Sequence, residues 1–443
     1  MLRAEVPAPI DLLALHRRDP QRYPFLLESA AGHALAGRYD ILFAFPGAAL
    51  VAGSSLSAER FFAALSARFA AERCEKQGEL PFCGGWFLLL GYEAARGVEP
   101  RLRLPDSPHE LPDALAVRCT AAVIVDRVAG RSLLIAESSP EQLEALRADC
   151  RAAQSAPLAE TWADGGLLHE IEEEPAERFL SGVSAIHEYL RAGDVFQVNL
   201  SRAWRGRLRE GADYPALYAR LRRANPAPFA GLARWGESAL LSSSPERLLA
   251  IEDGLAQTRP IAGTHARHAD ADEDAQQRRR LIASLKERAE HVMLIDLERN
   301  DLGRVCVPGS VEVSELMALE SYAHVHHIVS NVRGRLRPGV GPGEALRAVF
   351  PGGTITGCPK VRAMEIIAEL EREGRGPYTG AMGYLSRCGR LDTNILIRSL
   401  VCERGHVSLR AGAGIVADSQ PQAELAETRA KARGLLLALG AAP

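Results

Sequence analysis

Two apolar runs, Ala121-Ala122-Val123-Ile124-Val125-Asp126 and Ser132-Leu133-Leu134-Ile135-Ala136, flank the short segment 127–131. Short runs of this kind, broken by turn residues, read as a β-hairpin. A hairpin is antiparallel by construction. In a chain that also carries helical periodicity, it argues for an α+β fold rather than a doubly wound parallel sheet.

The same mixture recurs along the chain. Residues 41–45 and 85–92 read as strands, the second buried on both faces. Residues 57–73 read as a helix, with Phe61, Phe62, Leu65 and Phe69 on one side. From residue 176 the pattern tightens. Phe179, Val183, Ile186 and Leu190 are spaced as a helix face, and 195–200 then reads as a strand. The stretch 151–175 is rich in alanine and acids without an apolar period. It is the expected linker between an N-terminal region, 1–150, and a second region, 176–443. No repeat at a fixed period interrupts the chain.

A net charge of −3 excludes an electrostatic binder of nucleic acid or anionic membrane. No apolar run approaches the ~18 residues of a membrane span. Met1 to Pro7 lacks the apolar stretch of a secretory leader, so a cytoplasmic location is expected. The eight cysteines form no C-x-x-C pair, which argues against a zinc site of the usual spacing and against a disulfide scaffold. Of the 53 basic residues only Lys76, Lys286, Lys360 and Lys431 are lysines, which makes each of them informative.

Glu287 and Glu290 are three apart in a helical segment, and so are Glu424 and Glu427, with Lys431 a turn further on. Side chains at these spacings share a helix face. Taken singly, each pair reads as a solvated surface. If the two faced each other in a cleft, their mutual repulsion would call for a cation, and oxygen ligands suit Mg²⁺. Glu246 sits between two strand-like runs and, by itself, reads as a turn or surface acid. His324, His326 and His327 suggest a metal cluster. Strand alternation separates His327 from the other two, which favours one active-site histidine over a three-histidine site. The segment 350–360 precedes a helix, with glycines that allow an anion near helix N–H groups, but it is not a Walker loop. Gly412-Ala413-Gly414 alone reads as a tight turn.

Taken together, the motifs at 193–201, 243–247, 260–264, 286–291, 296–304, 350–360 and 412–419 resemble the chorismate-utilising enzymes. The match is dense from 193 to 433 and looser over the first 150 residues. That resemblance implies a large chorismate-binding α/β sandwich of two packed sheets covered by helices. It implies Mg²⁺ as cofactor, with Glu290 and Glu427 as direct ligands and Glu287 and Glu424 in the same shell. It implies Glu246 as the acid that protonates the departing C4 hydroxyl of chorismate, and His327 as the active-site histidine. Tyr378 and Arg398 match clamps for the enolpyruvyl carboxylate. Gly263, Thr264, Gly412, Ala413, Gly414 and Lys431 match further substrate contacts.

Two reactions of the family fit. One places ammonia on chorismate and keeps the enolpyruvyl group, giving aminodeoxychorismate on the route to para-aminobenzoate and folate. The alternative also eliminates pyruvate and gives anthranilate. Residues 197–200, 225–229, 242–248 and 350–357 are similar to the first type, as is Thr356. Ala262 departs from it, because that group often carries lysine there. No glutaminase is visible in the chain, so the resemblance implies a separate glutaminase partner supplying ammonia. Residues 23–29 resemble a tryptophan-binding segment of feedback-regulated relatives. Ser29, Pro228 and Phe229 then mark a tryptophan pocket, with a purely structural role as the other reading.

Overall fold

The expected hairpin forms between the strands Ala114–Asp126 and Arg131–Ala136, with Ala121 opposite Ala136 and Asp126 opposite Arg131. The computed structural model describes residues 1–29, 37–53, 56–76, 78–155, 166–268, 270–321 and 325–441. Within them, 20 strands join in one hydrogen-bonded network, and the named pairs are antiparallel. Ten helices of α type cover it, so the fold is α+β.

Local rules account for the helix boundaries. Ser57 accepts a hydrogen bond from the Arg60 N–H and opens the helix Ala58–Glu72, which buries Phe61, Phe62 and Leu65. Ser284 caps Leu285–Gly303 in the same way through the Glu287 N–H. The helix Ala176–Ala192 buries Phe179, Val183 and Ile186 and ends at Gly193, whose φ of 80° suits the left-handed cap.

Strands from early and late in the chain pair directly. Phe25–Glu28 runs beside Phe229–Trp235, and Gly85–Leu90 runs beside Ala381–Ser386. Phe25 and Phe87 stack with ring centroids 4.0 Å apart, inside a core that also takes Phe43, Phe82 and Met382. Each such fully buried side chain contributes about 1.5–3 kcal/mol. Of the expected linker, residues 156–165 lie outside the described residues. The strand Leu168–Glu173 within it pairs with Gln197–Leu208.

Two strand pairs place the site. His406–Ile415 runs beside Gln197–Leu208, setting Gly414 opposite Asn199 and Gly412 opposite Ser201. Ile261–Ala266 runs beside Val325–Arg335, setting Thr264 opposite His327. The register of that second pair shifts at Gly263, whose φ of 61° only glycine adopts without strain. A Cβ there would also lie 2.9 Å from Glu287 Oε2. Among the described residues, no helix is long and apolar enough to cross a membrane.

Candidate active site

The helices Leu285–Gly303 and Pro421–Leu439 each turn one acidic face toward a cavity of about 1020 Å³. Glu287 and Glu290 come from the first and Glu424 and Glu427 from the second. Lys286, Lys431, Arg398, Ala262 and Gly263 complete much of the wall. The helical spacing of each pair was legible locally, and the structure brings the two pairs to one space. Burial raises the Glu290 pKa to about 7, and the neighbouring Glu287 and Glu427 charges add to the shift. Burial also raises Glu424. Gln197 Nε2 donates to Glu290 Oε1 at 3.0 Å, while its own Oε1 is buried without a partner.

This donor set fits a hard divalent cation: several carboxylate oxygens and an orphaned amide oxygen on one wall, with like charges that a cation would relieve. It is a wall rather than a preformed cage. Among the described residues, no group of three or more His, Cys, Asp or Glu side chains already converges as a metal centre. Glu427 instead pairs with Lys431, whose Nζ is 2.6 Å from Oε1 and also donates to the Gly412 carbonyl at 3.1 Å.

A smaller cavity of about 120 Å³ adjoins the large one, sharing Asn199, Ile261, Thr354, Arg398 and Lys431 with it. Glu246, His327, Tyr378 and Gly412 line it. Glu246 lies between the strands Ser238–Ser244 and Arg247–Glu252, and its backbone is fixed at both ends. Its N–H donates to Ser244 Oγ at 3.2 Å and its carbonyl accepts from the Ile395 N–H at 3.0 Å. Only 4% of the residue is exposed. Burial pushes its carboxyl up to about 7, against opposing pulls from Thr354, the Ile261 N–H and the Lys431 and Arg398 charges. An acid in that range holds and releases a proton near neutrality.

Arg398 is one of three cationic side chains lining this chamber, with Arg410 and Lys431. Its φ of 51° is unusual for a side chain of this size, and its carbonyl accepts from the Ser243 N–H at 3.1 Å. Its guanidinium makes no ion pair or hydrogen bond among the described residues. Burial lowers its pKa, opposed by the Glu246 charge, yet a guanidinium keeps its proton. A planar cation held this way at a cavity wall suits a ligand carboxylate.

His327 is buried with Nδ1 3.2 Å from the Gly263 carbonyl, so Nδ1 carries the donated proton. Burial lowers its pKa to about 3, with the Arg398 charge next, and the ring is neutral at pH 7. His326 points the other way, bonding Asp274 and Ser321, as strand alternation requires. His324 lies outside the described residues, as does the side chain of Thr264. Ala413 has its methyl in an apolar core with Leu200 and Ile415, so any ligand contact there runs through its backbone. Thr356 is fully buried and bonds the Gly352 carbonyl at 2.9 Å. It shapes the turn and does not face either cavity.

Sequence spacing did not single out Gln197, Asn199, Thr354 or Arg410 as site residues. Arg410 belongs to a buried network behind the small cavity. Glu371 accepts from Arg375 at 2.6 Å, from Arg410 at 3.1 Å and from Ser201 Oγ at 2.8 Å. These partners are dispersed over 200 residues, so no local pattern could announce them.

Ser29, Pro228 and Phe229 do come together, lining a separate cavity of about 540 Å³ with Glu28, Arg247 and Tyr384. The Ser29 N–H is fixed by Asp40 Oδ1 at 2.8 Å.

The family model described as chorismate binding enzyme matches residues 23–437. The chain therefore belongs to the chorismate binding enzyme family. It is 40% identical over 431 residues to aminodeoxychorismate synthase component 1 of Klebsiella aerogenes, covering 94% of this chain and 93% of that one. It is 42% identical over 393 residues to anthranilate synthase component 1 of Streptomyces coelicolor, covering 85% of this chain and 76% of the relative. Among solved structures, anthranilate synthase component I of Streptococcus pneumoniae superposes with a TM-score of 0.79 at 30% identity, covering 91% of this chain and 93% of that one.

Proposed function

We propose that this chain is the chorismate-converting subunit of an aminodeoxychorismate synthase, taking chorismate and ammonia to 4-amino-4-deoxychorismate. The observation that carries the chemistry is the placement of a buried carboxyl poised near neutrality, Glu246, and a buried guanidinium, Arg398, in one small chamber. The choice of product rests on the aminodeoxychorismate-like segments around Asn199 and Phe229.

In this reading Arg398 and Tyr378 hold the enolpyruvyl carboxylate. Glu246 gives its proton to the C4 hydroxyl as that bond breaks, and the departing oxygen leaves as water. Ammonia forms the new bond at C4, in place of the departing hydroxyl, as the 4-amino-4-deoxy product requires; attack at C2 would instead give the 2-amino isomer that leads to anthranilate. Ala262 offers no nucleophile on the cavity wall where relatives carry lysine, so ammonia attacks directly. Neutral His327, tethered to Gly263, orients the chamber rather than carrying charge. Glu287, Glu290, Glu424 and Glu427 would hold Mg²⁺, which when bound supplies positive charge for the ring carboxylate. The reading includes the family's two packed sheet layers, a separate glutaminase partner as the ammonia source, and a cytoplasmic setting. The cavity at Ser29, Pro228 and Phe229 would take tryptophan as a structural ligand.

Anthranilate formation is the second reading, favoured by Ala262 and by the identity to anthranilate synthases. Mass identification of the product from chorismate, Mg²⁺ and ammonium separates the two. An amino-deoxy product that keeps the enolpyruvyl group supports the proposal, and anthranilate overturns it.

A further inference from the structure

Three of the eight cysteines meet at a point away from the substrate cavities. Cys74 follows the helix Ala58–Glu72, Cys83 precedes the strand Gly85–Leu90, and Cys388 lies in the turn between Ala381–Ser386 and Leu391–Ile395. Cys74 Sγ is 3.7 Å from Cys83 Sγ. The Ser386 hydroxyl joins the others, 3.2 Å from Cys83 Sγ and 3.4 Å from Cys388 Sγ.

The backbone holds this arrangement in place. The Cys74 N–H donates to the Arg387 carbonyl at 3.1 Å, and the Arg387 N–H donates to the Gly84 carbonyl at 2.8 Å. The Cys83 N–H donates to Ser386 Oγ at 3.0 Å. Cys83 is buried, whereas Cys74 and Cys388 are half-buried and reachable from solvent. Cys119, Cys150, Cys306 and Cys402 are buried and pack as small apolar groups, the common role of a free cysteine.

The environment divides the labour between two of the three thiols. Cys83 and Cys388 lie on either side of the Ser386 hydroxyl that both reach, just beyond the Gly85–Ser386 strand pair; the neighbouring Cys83 thiol pulls the Cys388 pKa down, and Ser386 and the Arg390 N–H and charge act in the same direction. The same contact pushes Cys83 up. A reachable thiolate beside a protonated thiol is the arrangement that oxidants attack selectively.

We propose that Cys388 and Cys83 form a peroxide-reactive thiol pair and that oxidation joins them in a disulfide across the 386–390 turn. The Cys388 thiolate attacks one peroxide oxygen, the O–O bond breaks, and the released hydroxide takes a proton to become water. The resulting sulfenic acid is attacked by Cys83 sulfur. The S–O bond breaks, the Cys83 proton leaves with the oxygen as a second water, and the S–S bond forms. Two thiols are oxidised by two electrons, and one peroxide is reduced to two waters. The bond would tie the turn to the segment entering Gly85–Leu90. That hairpin begins three residues after Tyr378 and ends three residues before Arg398, so the modification site sits at the far end of the element that carries both.

The test treats the full chain with stoichiometric hydrogen peroxide, blocks free thiols, digests without reductant and maps linked peptides by mass. The expected result is a Cys83–Cys388 peptide, about 2 Da lighter than the two free peptides together and lost on adding dithiothreitol. Cys388→Ser should remove that species, and Cys74→Ser should leave it. In the untreated wild type, iodoacetamide near pH 6 should label Cys388 ahead of Cys74, a readout that needs no variant. No cross-link, a Cys74–Cys83 disulfide in its place, or equal labelling of Cys74 and Cys388 would overturn the proposal.

Discussion

Replacing Glu246 with glutamine keeps the size and neutrality of the side chain but removes its transferable proton. Two consequences follow from the 4% exposure and the carboxyl pushed up to about 7. The first is kinetic. A lost general acid costs about 10²–10⁴-fold in kcat, or roughly 3–5 kcal/mol of barrier. The wild-type rate should be level below pH 7 and fall above it as the carboxyl ionises; the residual rate of Glu246→Gln should lack that limb. The second is thermodynamic. In the unfolded chain this carboxyl ionises near its ordinary value of 4.5, whereas in the fold it stays protonated up to about 7. Its favourable contribution is therefore fully present below 4.5 and is lost as pH rises to 7. The loss is about 1.4 kcal/mol per pH unit, or ~3 kcal/mol in all. Glutamine carries no such dependence. Urea unfolding of both proteins between about pH 5 and about pH 8 should show the variant gaining roughly 2–3 kcal/mol on the wild type. A pH-independent difference would refute the burial argument. Near-normal turnover of the variant, with chorismate, Mg²⁺ and ammonium, would refute its assignment as the acid.

The other expectations are shorter. EDTA should abolish turnover, and Glu290→Ala should do the same with unfolding unchanged to within about 1 kcal/mol, because the carboxyl is crowded by like charge; activity in metal-free buffer would remove the cation role. Arg398→Lys should raise KM for chorismate at least ~10-fold, since a single ammonium cannot replace a planar fork; an unchanged KM would place the enolpyruvyl carboxylate elsewhere. Gly263→Ala should destabilise by about 1–3 kcal/mol, from its positive φ and the 2.9 Å approach to Glu287, read by urea unfolding; a neutral change would mean the bulge is not required. Intact-protein mass spectrometry with chorismate but no ammonia should find no adduct, because alanine at 262 has no nucleophile; an adduct on any lysine would sink direct attack.

Local signals went far in this chain. The hairpin of Ala114–Asp126 with Arg131–Ala136, the helix expected over 57–73 and the paired carboxylates of two helix faces follow from spacing alone, and the caps that the structure shows at Ser57 and Ser284 obey equally local rules. Their physical basis is short range: period two in strands, near period four in helices, and a side-chain oxygen reaching an N–H three residues on. The motifs also pointed to the family, which the match over residues 23–437 bears out.

What the tertiary structure alone decided is which of these pieces share a space. Glu246 by itself reads from sequence as a turn or surface acid, and its carboxyl is raised to about 7 because strands from distant parts of the chain bury it. Thr356, chosen from its motif, turns out to shape a turn, while Gln197 and Asn199 reach the cavity. Among the described residues the Arg398 guanidinium makes no ion pair or hydrogen bond, and Cys74, Cys83 and Cys388 are gathered across more than 300 residues. Burial and proximity of that kind belong to the packed whole. Desolvation and charge–charge energies depend on distance through space, and the order of residues along a chain does not encode that distance.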